Sequence, residues 1–95
     1  MNDTIMTLHP DAAKKGVKIE KAKYDLMRSA ILAALKRNGA MPFIELAALL
    51  DDQMQGRFDG SVMWYCTTVK LDLEARGEIR RIPNAKPQRI ELCMP

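Results

Sequence analysis

The stretch Leu73-Glu74-Ala75-Arg76-Gly77-Glu78-Ile79-Arg80-Arg81 contains a change of period. Upstream of it, Val62, Tyr65, Cys66, Val69 and Leu73 recur at helical spacing and share one face. Downstream of Gly77, Ile79 and Ile82 bracket Arg80 and Arg81, and Gln88-Arg89-Ile90-Glu91-Leu92 alternates. Pro83-Asn84-Ala85-Lys86-Pro87 turns the chain between these two runs. The pattern predicts a helix that stops at Gly77, where a glycine past the last periodic residue can leave the helix without steric cost. A β-hairpin follows. Its tip is basic, and its prolines block edge-to-edge pairing.

Working outward, Ser61 or Asp59 can cap the start of this third helix. Opposite its core stripe lie Trp64, Leu71 and Ala75, flanked by Thr67 and Thr68. A helix with two apolar stripes touches something on both sides. A second helix is expected from Phe43 to Met54, with Pro42 in its first turn and Phe43, Leu46, Ala47, Leu50 and Met54 facing the core. Asp51 and Asp52 sit near its C-terminal end, where the helix dipole disfavours them. The turn after it brings Phe58 toward the core. The first helix runs from Lys21 to Arg37, buries Tyr24, Met27, Ile31, Ala34 and Leu35, and stops at Asn38-Gly39. Ala40-Met41 can add a short third strand to the hairpin. Val17 and Ile19 alternate with Lys18 and Glu20, enough for one short strand or a lead-in to the helix. Residues 1–15 have no sustained period and are interrupted by Pro10; they read as a flexible N-terminal arm. Residues 16–93 form one domain of the α+β class.

Composition narrows the function. Ninety-five residues make a single domain. Apolar residues are 47% and charged residues 28%, the balance of a folded soluble protein. Aromatics are only 5% and there are seven Met, so the core is aliphatic. No apolar run approaches the ~20 residues that span a bilayer, so no membrane partner is expected. The first seven residues lack the features of a signal peptide. Cys66 and Cys93 make no disulfide framework, and a reducing cytoplasm is the expected location. The single His, His9, forms no metal-binding cluster with the two cysteines. There is no CxxC, HExxH, glycine-rich phosphate loop or GxSxG. The expectation is no metal, no cofactor and no catalysis. Cys66 lies on the core stripe and should be a buried, inert thiol.

The net charge is +3, and it is unevenly placed. Lys14 to Arg37 holds eight cations against two acids, and Glu78 to Glu91 holds four against two. The middle is acidic, with Glu45, Asp51, Asp52 and Asp59 against Arg57. Two basic ends brought together would attract phosphate backbones.

Helix, helix, helix, hairpin is an order that resembles a winged helix-turn-helix. Leu73 to Arg81 looks like the end of a recognition helix entering the first wing strand, and Phe43 to Leu50 like the helix before it. Ala22-Lys23-Tyr24-Asp25-Leu26-Met27-Arg28 and Thr68-Val69-Lys70-Leu71-Asp72-Leu73-Glu74-Ala75-Arg76-Gly77 are similar to a family of small bacterial proteins, a domain of unknown function with a winged-helix shape. The likeness covers about Val17 to Leu92. Thr67 departs from it, since that family favours a basic residue there. The resemblance implies three helices followed by a two- to three-stranded β-wing, and duplex DNA as the partner most domains of this shape take.

On that reading Lys14, Lys15 and Lys18 of the arm, Ser61, Thr67, Thr68 and Lys70 of the third helix, and Arg80, Arg81, Lys86 and Arg89 of the wing would meet DNA. The third helix is a poor base reader, because Lys70 and Arg76 are balanced by Asp72 and Glu74. Its second stripe points to the other reading, an interaction or self-association module without DNA binding. In that case Trp64 and Leu71 form the interface of a homodimer. Trp64 is expected either between subunits or capped by residues 1–20.

Overall fold

The computed structural model describes residues 3–93. Three helices carry the core: α1 (Lys21–Asn38), α2 (Phe43–Met54) and α3 (Val62–Ala75). Five short strands accompany them: β1 (Thr4–Met6), β2 (Lys18–Glu20), β3 (Met41–Pro42), β4 (Ile79–Arg81) and β5 (Arg89–Leu92). β1 and β2 form an antiparallel pair in which Ile5 faces Ile19. β3, β5 and β4 form a second antiparallel sheet in that spatial order, with Met41 opposite Ile90 and Ile79 opposite Leu92. The architecture is α+β, compatible with a winged-helix-like arrangement.

Each element reaches the core through the residues its period selects. Met27, Ile31 and Leu35 descend from α1 at helical spacing, Leu46 and Leu50 from α2, and Cys66, Val69 and Leu73 from α3. Ile79 and Ile90 close the base from the second sheet, and Ile19 closes one side from β2. The expected buried set of α1 is the observed one. Two expected core residues are only half-buried. Phe43 lies at the start of α2, and Tyr65 stands edge-on to Phe58, with ring centroids 5.0 Å apart. Ser61 caps α3, its hydroxyl accepting the Trp64 N–H at 3.1 Å. Gly77 lies just past the helix with φ +78°, a left-handed conformation that costs a glycine nothing.

The N-terminal segment is where the fold departs from expectation. Among its described residues, Thr4 to Leu8 are docked rather than free. Thr7 is buried and clamps the chain on itself. Its N–H and hydroxyl both donate to the Val17 carbonyl, and the hydroxyl accepts the Val17 N–H, each at 2.8 Å. Gly16 makes this closure possible, because a Cβ there would stand 1.8 Å from the Thr7 carbonyl oxygen. The pairing was hidden because a three-residue strand is too short to show a period.

Cys66 has no exposed surface, and burial pushes its thiol up to about 11. Cys93 is half-buried at the end of the second sheet. At pH 8 a thiol reagent should modify Cys93 first and Cys66 only at the rate of unfolding. Mass spectrometry of the two peptides over time checks this; prompt labelling of Cys66 in folded protein contradicts it.

Candidate functional site

The outward surface of α3 divides around the helix. On one side it packs toward α2. There Lys70 lies buried, its ammonium 2.5 Å from Glu74 and 5.2 Å above the Phe43 ring. A cation held in this way is withdrawn from solvent, unlike the exposed lysines of the N-terminal segment. On the opposite side, the N-terminal segment runs alongside the helix. Residues 7–9 and 15–17 form, with Trp64, Thr68 and Leu71, the walls of a cavity of about 150 Å³. A wider groove lies between the same segment and Ala75. Thr68 and Leu71 are therefore half-buried beneath the segment. Thr68 and Leu71, expected to face DNA and a second copy respectively, thus face the N-terminal segment across this cavity.

The free part of α3 is its N-terminal half. Met63 is 52% exposed and Trp64 47%, the latter edge-on to Tyr65 with centroids 4.9 Å apart. The N-terminal segment adds Leu8 at 44% and Val17 at 40%, both on the Trp64 cavity. The expected cap over Trp64 by residues 1–20 thus exists as a wall along one side, not a lid. Ser61 spends its hydroxyl on the helix cap, and the Thr67 hydroxyl lies 3.9 Å from the Met63 sulfur.

The expected cations separate into free and engaged groups. Lys14, Lys15, Lys18, Arg81 and Lys86 are exposed and make no ion pair among the described residues. Arg80 is paired with Glu91 at 2.5 Å across the hairpin. Arg89 is half-buried and donates to the Ala40 carbonyl at 3.2 Å. α2 has no cation, and its Glu45, Asp51 and Asp52 are all exposed.

Asp72 is the residue that sequence reasoning missed. It was counted as a surface charge offsetting Lys70 and Arg76, yet it has no exposed surface. Its carboxylate accepts the Tyr24 hydroxyl at 2.5 Å, the Leu8 N–H at 2.9 Å and the Arg76 Nε at 2.9 Å. A signal was present, since Tyr24 lies on the buried stripe of α1 and a buried phenol needs a partner. Arg76, four residues on from Asp72, sets a cation beside that buried carboxylate. Arg28 and Glu78 form a second ion pair, tying α1 to the turn after α3. Among the described residues no group of His, Cys, Asp and Glu could hold a metal ion, and no helix is long and apolar enough to cross a membrane.

Burial and the bond to Asp72 push the Tyr24 phenol up to about 12 from its ordinary 10.0. A raised folded value means that the stabilisation is complete below pH 10 and is lost as the pH climbs toward 12. Urea melts should therefore show stability falling across that alkaline window, and Tyr24→Phe should flatten the fall. Asp72→Ala should cost about 3 kcal/mol at neutral pH, because three donors lose their acceptor at once. A loss below about 0.5 kcal/mol, the scale of an ordinary surface substitution, would show the carboxylate to be incidental.

No curated protein and no solved structure matches the chain. One family model does match, over residues 4–90, from the first residue of β1 into β5. It therefore takes in the docked N-terminal strand as well as the three helices. The chain belongs to that family, DUF6958, a family of unknown function.

Proposed function

We propose that this is a non-enzymatic winged-helix module that self-associates through the outward face of α3. The observation that carries the reading is the make-up of that face. Its exposed side chains are Met63 and Trp64, continued by Leu8 and Val17. A helix that reads bases offers Arg, Lys, Asn or Gln instead. Clustered exposed apolar side chains mark protein contacts, and Trp is the commonest anchor of such contacts. A second copy is the occupant that the surface itself suggests. In a two-fold contact one patch serves both partners, so an apolar patch meets its own complement. The acids of α2 support the same choice. In a helix-turn-helix docked on DNA the helix before the reader crosses the backbone, and Glu45, Asp51 and Asp52 would repel phosphates there.

The test is sedimentation velocity across protein concentration. The wild type should pass from monomer to dimer as concentration rises. Trp64→Lys should remain monomeric with an unchanged circular dichroism spectrum. A wild type that stays monomeric at the highest soluble concentration overturns the reading.

A second reading, duplex DNA held through its phosphates, is favoured by one observation. Lys14, Lys15 and Lys18 at one end of the chain, and Arg81 and Lys86 at the other, are exposed and unpaired among the described residues. If they bind DNA, the log of affinity falls linearly with the log of salt, and each Lys→Gln substitution among them lowers the slope by about one. Arg80→Gln should change the slope least, because Glu91 already neutralises Arg80. Absence of any shift on random duplex at low salt removes this reading.

A further inference from the structure

We propose that the cavity between the N-terminal segment and α3 is a binding site for a small aromatic carboxylate. The size and lining set the aromatic part. The cavity is open to solvent on one side and holds about 150 Å³, room enough for a benzene ring. The apolar part of its wall is the Trp64 indole with the side chains of Leu71, Leu8 and Val17; Thr7, Gly16 and Thr68 complete the wall below the rim. Such a lining offers water few partners and a flat ring many.

The rim sets the charge. Lys15 borders the cavity and has no carboxylate partner among the described residues. His9 borders it too. Its Nδ1 accepts the Asp11 N–H at 3.0 Å, so in the neutral ring the hydrogen resides on Nε2. That leaves Nε2–H as a donor with no acceptor in the described hydrogen bonds. The nearest acid in sequence, Asp11, uses Oδ1 to accept the Ala13 N–H at 2.9 Å. Asp72, close in space, is fully engaged with Tyr24, Leu8 and Arg76. The two residues on the rim with a nitrogen donor not otherwise engaged among the described residues are thus Lys15 and His9.

The site is built rather than left over. The Thr7–Val17 clamp closes the loop, the Leu8 N–H ties it to Asp72, and Gly16 allows the close approach. A pocket whose walls are bonded before the ligand arrives binds without an ordering cost. The proposal does not depend on self-association.

Trp64 is the only tryptophan of the chain, so its emission reports on this wall alone. The titration uses benzoate, benzamide and inorganic phosphate, at a protein concentration where sedimentation finds monomer. A failure then bears on the cavity and not on the contact between copies. Benzoate should give a saturable change in emission, with benzamide at least about tenfold weaker because it lacks the charge. Phosphate should give none. Lys15→Gln should weaken benzoate about tenfold. Thr68→Met should abolish the response by filling the cavity, with circular dichroism confirming the fold of both variants. A response to benzamide equal to that of benzoate, an equal response to phosphate, no saturable response at all, or full binding by both variants each overturns the proposal.

Discussion

A carboxylate with no exposed surface must find its donors inside the protein, and Asp72 finds them on its own helix and on two segments distant in sequence. Tyr24 comes from α1, Leu8 from the N-terminal segment and Arg76 from the end of its own helix. The attachment of the first sheet to the helices therefore includes a charge that cannot be left unpaired. Withdrawing any one donor strands part of that charge in a medium that solvates it poorly. The arrangement also fixes orientation. The Tyr24 hydroxyl sets how far α1 lies from α3, and the Leu8 N–H sets where the N-terminal segment crosses.

The helices were legible in the sequence because each buries one stripe for several turns. Met27, Ile31 and Leu35 could be placed from spacing alone, and so could Leu46 and Leu50. The hairpin was legible because the period changes at Gly77. β1 was not, because three residues that pair across eleven intervening positions leave no local trace. Asp72 was misread for a related reason. Charge counting along a helix assumes that charges face water, and what places Asp72 indoors is a tyrosine 48 residues away.

The outward face of α3 was half legible. The second apolar stripe of α3 pointed to contact on both sides of the helix. Sequence could not divide that stripe between an intrachain neighbour and an open surface. The structure divides it by position, with Leu71 and Thr68 against the N-terminal segment and Trp64 at the boundary. The hairpin charges were legible only in part because pairing across a hairpin, as between Arg80 and Glu91, depends on strand register.

The clamp between Thr7 and Val17 has an evolutionary consequence. It seals the neck of the loop formed by residues 8–16, so the ends of that loop are held by bonds the loop body does not make. The cost of closing a flexible loop grows only slowly with its length. Residues between the Leu8 anchor and Gly16 are thus free to lengthen, shorten or change chemistry with little effect on the helical core. The same scaffold can in this way carry loops of different length and chemistry along α3, with stability kept elsewhere.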